Sequence, residues 1–325
     1  MPSRPHPWSA ADIPSLDGQR ALVTGANSGL GLRTAVALAA HGAEVVLACR
    51  DRARGRAAQE RVLAETGRAA GLVDLDLADL RSVEALAQGW GDAPLHLLVA
   101  NAGVMAVPRG TTRDGFERQL GTNHLGHFAL VGRLLPALRQ APFARVVVVS
   151  SNAHRFGRVR LDDLMFQRRR YSPWRAYGQS KLANLLFVRE LDRRLRAHGD
   201  PVVAVAAHPG FASSNLSAGF TAGLPPVVAS GYRWLQGRLE QSDEAGALPS
   251  LYAATMPDVP GGALYGPDGR FEQRGAPTRV HPSARAQDDA TARGLWERSE
   301  RLTGVTYPDL PPVPAGAPRW LRSGA

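Results

Sequence analysis

A single cysteine, Cys49, and a single lysine, Lys181, are the conspicuous scarcities of this chain. One cysteine excludes a disulfide framework and a cysteine-rich zinc site, and it suits a reducing compartment. No apolar run approaches the ~18 residues that a membrane-spanning helix needs. The N-terminal stretch, broken by Pro2, Pro5 and Pro7, lacks a signal-peptide core. The expectation is a cytoplasmic protein with no membrane span. Repeats and interior linkers rich in Pro, Gly and Ser are also missing, and the one Pro-dense piece runs from Pro308 to Pro318 at the end. With 325 residues, 44% of them hydrophobic, the chain is long enough for one large α/β domain.

Arginine takes every basic position but one, giving 38 arginines, a net charge of +10 and a pI near 10.8. The arginines are spread along the chain, with one cluster at Arg168-Arg169-Arg170, and no nucleic-acid module accompanies them. No specific nucleic-acid partner is expected; the charge implies weak attraction to anionic ligands or surfaces.

Against that background the lone amine of Lys181 stands out, in the stretch Tyr177-Gly178-Gln179-Ser180-Lys181. The apolar spacing of Leu182, Leu185, Leu186 and Leu191 predicts a helix, on which Tyr177 and Lys181, four apart, share a face. A tyrosine titrates near ~10 when unperturbed, and an adjacent ammonium is expected to bring it toward neutral pH. Lysine is also a slim point donor that reaches two neighbours at once, unlike the planar fork of arginine.

Upstream, Arg20 to Thr24 reads as a buried strand running into Gly25-Ala26-Asn27-Ser28-Gly29-Leu30-Gly31 and then a helix to about His41. Strand, glycine turn and helix N-terminus together make a dinucleotide-phosphate site. Further apolar strands are expected at Glu44 to Ala48, Ala69 to Asp74, Leu95 to Ala100, Arg145 to Ser150 and Val202 to Ala207, alternating with helices. That alternation predicts an α/β fold, a doubly wound parallel sheet, with the ligand at the carboxyl ends of its strands. Asp76, Asn101, Ser150, Ser151 and His208-Pro209-Gly210 fall at those ends.

Cofactor choice is read after the second strand, where NAD-binding folds place an acid and NADP-binding folds supply arginine. The sequence there is Cys49-Arg50-Asp51, so NADP is favoured over NAD, with Asp51 as the feature pulling the other way. Cys49 reads as a small packed residue. His124, His127 and His154 lack the carboxylate companions of a metal site and are given structural roles.

Ordered motifs make the chain resemble the short-chain dehydrogenase/reductase family: Thr24 to Gly31, Asn101-Ala102-Gly103, and Tyr177 with Lys181. Asn123-His124-Leu125-Gly126-His127-Phe128 and Ser180-Lys181-Leu182-Ala183-Asn184 resemble its retinol dehydrogenase and protochlorophyllide reductase branch. The resemblance implies a Rossmann fold and a catalytic set of Asn123, Ser151, Tyr177 and Lys181. Tyr177 would exchange a proton with the substrate oxygen, Lys181 would hold the nicotinamide ribose, Ser151 would orient the reacting oxygen, and Asn123 would hold a water reaching Lys181. Ser150 competes with Ser151, but strand alternation turns the two hydroxyls opposite ways.

The resemblance also implies that Gly25, Asn27, Ser28, Gly29, Leu30 and Gly31 line the cofactor site. Arg50, Asp76, Leu77, Asn101, Ala102 and Gly103 would join them, with Pro209, Gly210 and Ser214 completing it. Asp76 would meet the adenine, Asp74 being the alternative, and Ser214 the carboxamide. A leader at 1–14, a single domain at 15–265 and a C-terminal extension at 266–325 packed on it are expected. Phe211 to Leu239 is long enough to form a substrate lid. The substrate expected is a hydrophobic carbonyl or alcohol. A noncatalytic NADP-binding regulator is the other class of function considered, and homo-oligomerisation is left open.

Overall fold

The computed structural model describes residues 7–210 and 241–313. Its centre is a sheet in the order β3-β2-β1-β4-β5-β6-β7-β8. The strands are β1 (Arg20–Thr24), β2 (Glu44–Cys49), β3 (Gly71–Asp74), β4 (Leu97–Ala100), β5 (Ala144–Val149), β6 (Val202–Ala207), β7 (Leu264–Pro267) and β8 (Pro277–Val280). Every neighbouring pair is parallel except β7 and β8. All four residues of β4 are buried, as are the last four of β1, β5 and β6. Such unbroken apolar runs follow from burial on both sheet faces.

Two helical layers provide that burial. Helices α1 (Gly29–Ala40), α2 (Arg52–Thr66) and α6 (Asp243–Thr255) cover one face, where Leu38, Val62 and Leu251 meet Val23 and Leu47. On the other face lie α3 (Leu80–Trp90), α4 (Gly126–Gln140), α5 (Pro173–Ala197) and α7 (Asp289–Thr303), with Phe128, Leu186 and Trp296 in one core. Pro173 occupies the first turn of α5, where its missing N–H costs nothing. The helix therefore begins four residues before Tyr177. Ahead of α4 the chain widens into a π-turn at Gly121–Leu125, so Asn123 sits at a helical irregularity rather than in an ordinary helix.

The six strands expected from sequence are present, with ends displaced by two residues or fewer. β7 and β8 were not anticipated. β7 runs across position 265, and β8 adds an antiparallel edge, so the residues after 265 complete the sheet itself. Helix α7 then packs on α5, with the Trp296 and Tyr307 rings tilted against each other at 4.5 Å beside Phe128. Beneath them Glu190, 1% exposed, pairs with Arg193 and Arg194 at 2.7 and 2.8 Å. Those guanidiniums also donate to the carbonyls of Val313 and Leu310. Among the described residues no helix is long and apolar enough to cross a membrane.

The strand order reverses between β1 and β4. A crevice opens there at the carboxyl ends, and it holds a cavity of about 1000 Å³.

Candidate active site

The floor of the cavity is the turn from β1 into α1. Gly31 must be glycine, because a Cβ there would lie 2.5 Å from the Gly25 carbonyl oxygen and 2.6 Å from Asn101 Nδ2. At Gly29 a Cβ would meet nothing closer than Asp243 at 3.9 Å. Glycine there leaves volume open at the N-terminus of α1, where free N–H groups suit a phosphate. Asn27, Ser28 and Leu30 also line the cavity.

Thr24 ties this turn to the next strand. Its hydroxyl accepts the amide N–H groups of Asn101 and Ala102, each at 2.9 Å, and its carbonyl accepts Asn101 Nδ2 at 2.9 Å. His127 closes the circuit: Nδ1–H donates to the Asn123 carbonyl at 3.0 Å, leaving Nε2 to accept the Thr24 hydroxyl at 2.9 Å. Burial drives the His127 imidazole down to about 4, so it stays neutral and can accept. The structural role expected of His127 is thus a specific one, joining the glycine turn to the π-turn.

At the far end, Arg50 and Asp51 line the cavity together with Arg54. Asp51 Oδ1 accepts the Arg54 amide at 3.0 Å and caps α2. Arg50 is exposed and has no hydrogen-bond or carboxylate partner among the described residues. Arg54 was missed from sequence; its signal was its place one helical turn after Arg50. Asp76 and Leu77 line the cavity, whereas Asp74 pairs with Arg52 at 2.7 Å outside it.

Ser151, Tyr177 and Lys181 come together at the other end with Asn101, Ala102 and Gly103. Ser150 Oγ donates to the Lys181 carbonyl at 2.8 Å and pins β5 to α5. Ser151 shares a hydrogen bond with the Tyr177 phenol. Lys181 is 5% exposed; its Nζ donates to the Val149 carbonyl at 3.0 Å and lies 5.8 Å from the Tyr177 ring centre. Asn123 Oδ1 accepts the Val104 amide at 2.8 Å, and its Nδ2 donates to the Val104 carbonyl and to Ser180 Oγ, both at 2.9 Å.

The electrostatics correct one expectation. Burial pushes the Tyr177 phenol up to about 12, with the Ser151 hydrogen bond pulling the other way. The same burial brings Lys181 down to about 8. The ammonium was expected to lower the phenol; loss of solvent dominates at both groups instead, and each moves toward its neutral form.

The mouth draws on residues far apart in sequence. Phe156, Trp174, Phe271, Glu272 and Gln273 line it beside Pro209 and Gly210. Glu272 pairs with Arg155 at 2.6 Å and accepts His208 Nε2–H at 3.0 Å, bonds that hold its carboxyl down at about 2. The contribution of residues 271–273 had no sequence signal. Ser214 and the lid expected over Phe211 to Leu239 lie outside the described residues.

The sequence model described as short chain dehydrogenase matches residues 19–224. Polyprenol dehydrogenase of Mus musculus is 42% identical over 302 residues, covering 90% of this chain and 86% of that one. Retinol dehydrogenase 13 of Homo sapiens is 39% identical over 316 residues, covering 93% and 88%. A crystal structure of an uncharacterized protein from Mycobacterium Paratuberculosis superposes with a TM-score of 0.78 at 45% identity, covering 93% of this chain and all of that one. Sheet order, glycine turn and these likenesses agree: the chain belongs to the short chain dehydrogenase family, the alcohol and carbonyl oxidoreductases that work with a nicotinamide cofactor.

Proposed function

We propose that this protein is an NADP-dependent oxidoreductase that interconverts an apolar alcohol and its carbonyl compound, with Tyr177 as the general acid and base. The observation that carries the reading is the convergence of Ser151, Tyr177 and Lys181 at one end of a cavity whose other end is a glycine turn flanked by arginines. The residues fit the cofactor: open volume at Gly29 suits a diphosphate, and Arg50 and Arg54 suit a 2′-phosphate. Asp51, turned back to cap α2, is poorly placed to take a ribose hydroxyl, which favours NADP.

When bound, the nicotinamide gives or takes the hydride. The chain's own part is to move one proton and to hold the oxygen that carries it. Tyr177 O–H donates to a carbonyl oxygen in reduction and its phenolate accepts the alcohol proton in oxidation. Ser151, already bonded to the phenol, fixes that oxygen beside it. Lys181, slim and desolvated, supplies an ammonium to the ribose and to the phenolate as it forms. Asn123 Oδ1 and Lys181 Nζ flank Gly103, lying 3.0 and 3.6 Å from where its Cβ would be; a water relayed between them would replace the proton. Phe156, Trp174 and Phe271 at the mouth support an apolar substrate, in keeping with relatives named for polyprenol and retinol.

A noncatalytic NADP-binding protein would have no use for a phenol buried against Ser151 beside a lone lysine. Tyr177→Phe separates the two. NADPH should still bind, followed by its fluorescence, while turnover of apolar aldehydes falls roughly 10²–10⁴-fold. Turnover at the parent rate in this variant would remove Tyr177 from the chemistry.

A further inference from the structure

We propose that the mouth of the cavity docks on an anionic phospholipid surface, so that an apolar substrate enters from the bilayer. Among the described residues five large hydrophobic side chains are exposed, and three of them, Phe156, Trp174 and Phe271, line the one cavity. A shared exposed apolar rim is far less usual than single scattered residues. Phe271 is 72% exposed and has φ +56°, and Glu272 after it has φ +54°. Two successive non-glycine residues in the left-handed region are held there at a cost. Glu272 is fastened by Arg155 and His208, and Asn152 Nδ2 donates to the Phe271 and Glu272 carbonyls at 3.4 and 3.3 Å. The ring is thereby presented to solvent on a braced turn.

Directly beside the mouth, and sharing Phe156 with it, lies a second cavity of about 400 Å³ lined by Arg158, Arg160, Arg169, Arg170 and Arg175. Among the described residues only Arg169 of these has side-chain partners, Asp163 and Gln179. Arg158, Arg160, Arg170 and Arg175 are exposed without a carboxylate partner among the described residues. Arg160 stands close enough to Arg169 to disfavour its charge. Clustered like charges around a concavity repel one another until an anion enters. Aromatic rings beside arginines is the pairing that a bilayer interface favours, the rings lying at headgroup level and the guanidiniums against lipid phosphates. An anionic headgroup in the arginine cavity would set Phe156 and Phe271 against the acyl chains, with the mouth open toward them.

The entry of substrate rests on the oxidoreductase reading above; the docking does not. The full-length protein should sediment with vesicles of phosphatidylglycerol and phosphatidylcholine and not with phosphatidylcholine alone, and salt should release it. At ~1 kcal/mol per basic side chain near the surface, Arg158→Gln/Arg160→Gln should weaken partitioning about 30-fold. NADPH binding and turnover of a short water-soluble aldehyde should be unchanged. The control pair Arg56→Gln/Arg298→Gln, on α2 and α7 and lining neither cavity, should bind far more nearly like the parent. Equal losses in the two pairs would reduce the effect to net charge and overturn the proposal, as would no binding to anionic vesicles. Absence of all turnover in the parent protein beside arginine-dependent sedimentation would sink the oxidoreductase reading and leave the docking supported.

Discussion

Replacing Lys181 by methionine should change stability with opposite signs at neutral and alkaline pH. The amine is buried, and burial lowers its pKa from 10.5 to about 8. At about 1.4 kcal/mol per ten-fold change in protonation equilibrium, the charged amine at pH 7 costs the cofactor-free fold about 3 kcal/mol. Methionine removes that cost and gives up the Nζ bond to the Val149 carbonyl, a charge-assisted contact of roughly 1.5–3 kcal/mol. The carbonyl keeps Asn184 Nδ2 at 3.2 Å, so no acceptor is stranded. The variant should therefore be more stable at pH 7 by about 1 kcal/mol.

Between the two pKa values the unfolded chain binds more protons than the folded one, so the parent gains stability as pH rises from 8 toward 10.5. By pH 10 it should have regained about 2.5 kcal/mol relative to the variant, reversing the order. Cys49 and Tyr171 are also perturbed by burial, but they are common to both proteins and cancel in the difference. No second lysine exists to blur the window. Urea midpoints measured at several pH values from 7 to 10 supply the comparison. Parallel curves for the two proteins would refute the claim that Lys181 is held at the expense of the fold.

Lys181→Arg keeps the charge but not the slimness; in a site with 5% exposure it should lose most turnover while cooperative unfolding persists, as read by steady-state rates and thermal melts. Arg50→Ala should raise the Michaelis constant for NADPH by about 10- to 150-fold, the equivalent of roughly 1.5–3 kcal/mol, and that for NADH little; equal shifts would make Arg50 an ordinary surface residue. Gly31→Ala drives a methyl against the Gly25 carbonyl and Asn101. It should lower stability by ~1–3 kcal/mol and weaken NADPH binding, both measurable by thermal shift with and without cofactor.

How far the sequence could be read depended on how local each signal was. β1 and β6 matched to the residue because unbroken apolar runs between polar turns leave little room for error. β7 and β8 escaped because Pro267 and Pro277 oppose strand formation, and proline is tolerated only where the sheet needs no further donor. The glycine turn, the Asn101 turn, Ser151, Tyr177 and Lys181 were legible as motifs. Arg54, the Thr24–His127 circuit and the 271–273 turn were not, because each depends on residues brought together only by the fold. The phenol's direction was misjudged for a related reason: spacing on a helix reveals a neighbouring charge but not the loss of water around both groups.

The C-terminal segment also fixes an order of events during synthesis. The back of α5 ends at Ala197, yet Arg193 and Arg194, paired there with Glu190, find their carbonyl acceptors in Val313 and Leu310. At roughly 5–20 residues per second, a ribosome needs about 6–23 s to add the intervening stretch. Through that interval the nascent helix carries Tyr177 and Lys181 on one side and, on the other, a bare aromatic and ionic surface awaiting Trp296 and Tyr307. Slowing translation after residue 197, or stalling it before residue 289, should hand that surface to chaperones, whereas release of the finished chain withdraws it.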